Sequence, residues 1–95
     1  MNGFKIYTKL LQEGETFLLT SNYNATYFSF QVSSTTGDNA TYKGDETNPV
    51  TQEASEELPV AAGGGQVFVS ENPQKPITGI TVTAQQGTVS INIGY

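Results

Sequence analysis

The stretch that decides the fold is Ile80-Thr-Val-Thr-Ala-Gln-Gln-Gly-Thr-Val-Ser-Ile-Asn-Ile93. Ile80, Val82 and Ala84 alternate with Thr81, Thr83 and Gln85, and Val89, Ile91 and Ile93 alternate with Ser90 and Asn92. An apolar period of two belongs to a strand with one buried face. Gln85-Gln86-Gly87 between the two runs suits a short hairpin loop, with Gly87 at the positive-φ position.

The same period recurs toward the N-terminus. Phe28, Phe30 and Val32 alternate with Tyr27, Ser29 and Gln31. Phe4, Ile6, Thr8 and Leu10 share one phase of a first strand, and Lys5, Tyr7 and Lys9 share the other. Phe17-Leu18-Leu19 is a short buried run, set between a turn at Gly14 and a turn-rich break over Ser21 to Ala25. Phe28, Phe30, Val32, Ile80, Val82, Val89, Ile91 and Ile93 are the expected sheet core, with Phe4, Phe17 and Phe68 as further core aromatics. Seven to eight short strands spaced near ten residues predict an all-β chain. The expected form is a single small antiparallel β-sandwich, jelly-roll or Ig-like, or a β-barrel.

The middle reads differently. Residues 33–58 carry few apolar side chains and six of the nine acids, which predicts a polar acidic loop or excursion within a single domain spanning 1–95. Ala40 to Lys43 is a short edge strand or part of that excursion. Thr51 to Leu58 suits a helical turn capped by Thr51 and limited by Pro59. Gly63-Gly64-Gly65 is the most flexible point, followed by a strand from Gln66 to Ser70.

Composition bounds the chemistry. The chain has no His, Cys, Trp or Arg, and nine acids against four lysines give a net charge of −5. The usual neutral-pH base, thiolate nucleophile and soft metal ligands are therefore missing. No His stands ready to activate a serine or threonine, and the acids cluster in polar sequence rather than in an apolar site. The reading is non-enzymatic, with no cofactor. Lys5, Lys9, Lys43 and Lys75 are too scattered to hold a phosphate backbone, so no nucleic acid is expected, and the acidity opposes an anionic membrane. Asp38, Asp45 and Glu46 are candidate calcium ligands, although their spacing is not that of an EF-hand loop. The triplets beginning at Asn24 and Asn39 match the N-glycosylation pattern, but no signal-peptide core precedes them. Tyr7, Tyr23, Tyr27, Tyr42 and Tyr95 fall on polar phases or in turns, which makes them interface candidates, since tyrosine buries area and keeps a hydroxyl for a partner.

The run Ile77-Thr-Gly-Ile-Thr-Val-Thr-Ala-Gln-Gln-Gly-Thr-Val-Ser-Ile-Asn-Ile93 resembles the closing hairpins of small accessory virion proteins of tailed bacteriophages. So does the form of the chain, about a hundred residues that begin with a strand and carry no targeting signal. The resemblance implies a capsid decoration or stabilisation protein, contacts with major capsid or other virion proteins, and a homo-oligomer, a trimer above all. It also implies location in the virion after synthesis in the host cytoplasm. The alternative is a carbohydrate-binding or adhesin-type β-sandwich whose exposed tyrosines stack on sugar rings. The uncharged strand Val89 to Ile93 must lie inside a sheet or be covered by a neighbour, because bare strand edges invite pairing.

Overall fold

A computed structural model describes residues 4–95. Eight strands run in chain order: β1 (Ile6–Leu11), β2 (Thr16–Leu19), β3 (Tyr27–Val32), β4 (Asn39–Gly44), β5 (Leu58–Ala61), β6 (Gly65–Val69), β7 (Ile80–Gln86) and β8 (Val89–Gly94). A single 3-10 turn, Ser21–Tyr23, interrupts them and ends on Asn24 in the left-handed region at φ 50. The strands form two antiparallel sheets in the orders β1-β8-β3-β6 and β2-β7-β4-β5.

The pairing is nested. β4 pairs with β5, β3 with β6, β2 with β7 and β1 with β8, all antiparallel. The chain is thus a ribbon folded at its middle, whose successive rungs go alternately to one sheet and the other. The β3·β8 and β4·β7 ladders complete the sheets. This is the jelly-roll solution of the sandwich.

Alternation does the packing. All eight expected core residues are buried, Phe28, Val82, Val89 and Ile93 completely. Leu11, Leu19, Ala25, Ala40, Val60 and Ala84 join them. Each large aliphatic or aromatic chain so buried contributes about 1.5–3 kcal/mol over exposure. Phe17 stacks on Phe28 with centroids 6.2 Å apart, and Phe28 on Phe68 at 6.3 Å, so the aromatics bridge the two sheets.

Several expectations need correction. Ile80 to Ile93 is not a hairpin: the strands flank Gly87 as expected, and Gly87 has φ +79, but β7 and β8 belong to opposite sheets. Each already has two neighbours, and the turn carries the chain around the sandwich corner. Gly87 N–H donates to Glu13 Oε1 at 3.1 Å, which helps hold that corner. β8 itself lies inside its sheet, between β1 and β3, as its lack of charge requires.

The phase of β1 is reversed. Phe4, Ile6 and Leu10 are more than half exposed, whereas Leu11 is fully buried opposite Val89. Leu10-Leu11 offers an apolar residue to either phase, and a one-residue shift exchanges the faces of the whole strand. The inward phase is Tyr7, Lys9 and Leu11, with the Lys9 stem half-buried at the sandwich rim. Leu18 likewise faces outward, so Phe17 to Leu19 is not buried throughout.

The acidic middle is more ordered than its composition suggests. β4 is no edge strand: it lies between β7 and β5 and buries Ala40. Thr51 to Glu57 is not helical. Asn48 Oδ1 accepts from Val50 N at 2.8 Å and from Thr51 N at 3.2 Å. Gln52 adopts φ 64, and a Thr47·Ala54 bridge closes the loop. An asparagine turn has replaced the helix cap. The triple glycine is bonded to β3, with Gly63 N–H donating to Ser33 O at 3.1 Å and Val32 N–H to Gly64 O at 2.8 Å. A Cβ on Gly65 would overlap the Phe30 carbonyl oxygen, so close backbone approach is what demands glycine there.

Candidate interaction surface

The outer face of β1-β8-β3-β6 follows from the register. Across the strands, Ile6, Gly94, Tyr27 and Val69 form one row, and Thr8, Asn92, Ser29 and Val67 the next. Leu10, Ser90, Gln31 and Gly65 complete it. The ring of Phe4 lies over Gly94, against the Tyr27 Cβ. Aliphatic side chains therefore stand on the two border strands: Ile6 is 62% exposed, Leu10 53%, Val67 61% and Val69 65%. The middle strands carry amides and hydroxyls instead. Asn92 Nδ2 donates to Ser29 Oγ at 3.4 Å, and Ser29 is buried although it points outward. Beside it is an open depression of about 390 Å³ lined by Tyr27, Ser29, Gln31, Gln66, Val67 and Asn92.

No residue in those three rows is charged, in a chain of net charge −5. The opposite outer face is hydroxyl-rich and does carry charge. Thr16 and Thr83 share a hydrogen bond at 3.1 Å, Thr41 donates to Glu57 Oε1, and Lys43 stands in register with Thr81.

The five tyrosines do not gather into one surface. Tyr42 points inward, its ring 5.2 Å from Phe30 and 6.3 Å from Phe68. Tyr23 packs on the core, 5.6 Å from Phe17, and Tyr7 leans on Tyr23 at 6.1 Å. Tyr27 stands on the outer face just described. Tyr95 is exposed, and its N–H and C=O pair with Lys5 at 2.9 Å in both directions.

Nor do the calcium candidates converge. Asp38 precedes β4 while Asp45 and Glu46 follow it, so the strand holds them at opposite ends. Asp38 packs against Gly87 and Asp45 against Gly79. Among the described residues no group of three or more His, Cys, Asp or Glu is placed to hold a metal ion.

The sequence signal for the outer face was β6 itself. Gln66-Val-Phe-Val69 puts apolar residues on both phases, which a strand with one solvated face does not need.

No family model matches the chain, and no curated protein does. Among solved structures it is similar to a chain from Bacillus endospore appendages, which form a family of disulfide-linked pili. The TM-score is 0.46 at 17% identity, over 98% of this chain and 86% of that one. The present chain contains no cysteine.

Proposed function

We propose that this chain is a non-catalytic structural subunit that works by packing against other protein surfaces in a larger particle. The observation that carries the reading is the aliphatic border of the outer face. Ile6, Leu10, Val67 and Val69 sit in regular strands, are more than half exposed, and share one side of one sheet. The Phe4 ring over Gly94 and the Tyr27 side chain join Ile6 to Val69 across the sheet, and exposed apolar area of this kind marks interaction surfaces. β1 and β6 are also the free edges of that sheet, and β6 has no charged residue to discourage a neighbour.

The specific form proposed is decoration or stabilisation of a tailed-phage capsid, with self-association of the subunit. It draws its support from this surface and from the resemblance of the C-terminal run in sequence, since the run itself is a corner between the sheets and not a hairpin. Co-sedimentation of the purified protein with capsid shells of tailed phages tests it. Saturable binding that is weakened by Val69→Glu is the expected result, and absence of binding to any shell refutes the capsid setting.

A glycan-binding reading has one observation in its favour, the Tyr27 ring beside the amides of Gln31, Gln66 and Asn92 around the depression. Binding to a polysaccharide array that is lost in Tyr27→Ala, with no binding to shells, would replace the first reading with this one.

A further inference from the structure

We infer that the outer face of β1-β8-β3-β6 packs against the same face of a second copy about a two-fold axis. This rests on the structural-subunit reading above and names the surface and its partner. In a two-fold contact each residue meets itself or its mirror position, so any charge near the axis meets its like. A chain of net charge −5 has few surfaces on which two copies approach without repulsion, and among the described residues the three rows of this face contain no charged side chain.

Hydrogen-bonding chemistry points the same way. The middle of the face is made of Asn92, Ser29, Ser90, Gln31 and Thr8, and every one of these side chains is both donor and acceptor. Such groups can pair with their own copies, which a field of lysines or carboxylates cannot. An axis parallel to the strands lays β1 of one copy over β6 of the other. Ile6 then meets Val69 and Leu10 meets the bare backbone of Gly65, while β8 and β3 meet each other through amides and hydroxyls. Amide falls on hydroxyl across the middle strands, where Asn92 meets Ser29 and Ser90 meets Gln31, and Thr8 falls on Val67. A partner steered by electrostatics would find nothing here to steer by.

Size sets the strength. Four strands about 4.8 Å apart and six residues at about 3.3 Å each give a face of roughly 19 by 20 Å. Two such faces bury on the order of 800 Å², below the standard interface. The contact is therefore weak and concentration-dependent, and even-numbered. It departs from the three-fold association that the virion resemblance implies.

Full overlap brings the centre of the face, between Asn92 and Ser29, onto its own copy whatever the direction of the axis. Sedimentation velocity of the wild type from about 1 µM to 1 mM should show a monomer passing to a dimer. Asn92→Asp, nearly isosteric, and Asn92→Lys should each weaken dimerisation at least about tenfold, and an equimolar mixture of the two should restore it. Thr81→Asp, on the opposite sheet, should leave it unchanged, and near-ultraviolet circular dichroism checks that every variant is folded. The inference is overturned by a wild type that stays monomeric or sediments as a trimer, by an Asn92→Asp variant that dimerises normally, or by a mixture that fails to recover. A wild type that remains monomeric yet binds capsid shells overturns this contact and leaves the structural-subunit reading standing. A dimer that binds no shell does the reverse for the capsid setting.

Discussion

The carboxylate of Asp45, just past the end of β4, packs against the α-carbon of Gly79, just before β7. A side chain on Gly79 would occupy the same space, and its φ of +78 already favours glycine. At the other end of the same ladder, Asp38 lies against Gly87 in the same way. Two acids read from sequence as possible ligands thus close the two ends of the β4·β7 pairing.

Gly79→Ala should therefore cost more than Gly63→Ala. Both glycines have positive φ, but nothing lies within 4 Å of a Cβ on Gly63. Denaturant melts should show about 1 kcal/mol for Gly63→Ala, the backbone part alone, and a larger loss for Gly79→Ala. Adding Asp45→Ala to Gly79→Ala should recover part of the difference in a double-mutant cycle. Equal costs at the two glycines would mean that the carboxylate yields freely.

Ile91→Ala should destabilise by about 2–5 kcal/mol, since the side chain is 1% exposed in the middle of a central strand. Thr81→Ala, on the outward phase of β7, should stay within about 0.5 kcal/mol. Thermal melts that fail to separate the two would show the inward and outward phases to be misassigned.

Tyr42 and Tyr95 should behave oppositely. Tyr42 fills a gap between Phe30 and Phe68, so Tyr42→Ala should lower stability by about 2 kcal/mol or more and Tyr42→Phe by little. Tyr95→Ala removes an exposed ring while its backbone pairing to Lys5 remains, and its melt should match the wild type.

Limited proteolysis should cut first between Thr47 and Glu57, where Val50 is 87% exposed and the turn is held by local bonds. The Gly63 to Gly65 stretch, bonded to β3 and packed on the Phe30 backbone, should resist. Initial cleavage within the glycines would restore their reading as a flexible joint.

The strands that bury one face and wet the other were legible before any coordinates. Phe28 to Val32, Ile80 to Ala84 and Val89 to Ile93 each announce their inward phase, and all of it is buried. What failed to show was anything decided by partners far away in the chain. β1 has apolar residues on both phases, and only Val89 opposite Leu11 selects between them. Gly87 reads equally well as a hairpin tip or a corner, because both need positive φ; the neighbours of β7 and β8 make it a corner. The sparse apolar content of Asn39 to Gly44 disguised an interior strand, since Ala40 is small and Tyr42 passes for a surface residue. On the candidate surface, Tyr27 was recognisable. The aliphatic border was not, because Ile6 and Leu10 share the apolar phase of β1 and Val67 and Val69 flank the inward Phe68 in a continuous apolar run.

The nested pairing also fixes when the protein can fold. Thr41 meets Pro59 eighteen residues further on, but Ile6 must find Gly94 across nearly the whole chain, and loop-closure entropy makes the outer rungs late. β8 separates β1 from β3 in the sheet yet comes after all of the other seven described strands in the chain. Over the roughly 5–20 s that a ribosome needs for about a hundred residues, Phe28, Phe30 and Leu11 have no completed sheet in which to hide. Folding of that sheet must therefore wait until translation has supplied its final strand.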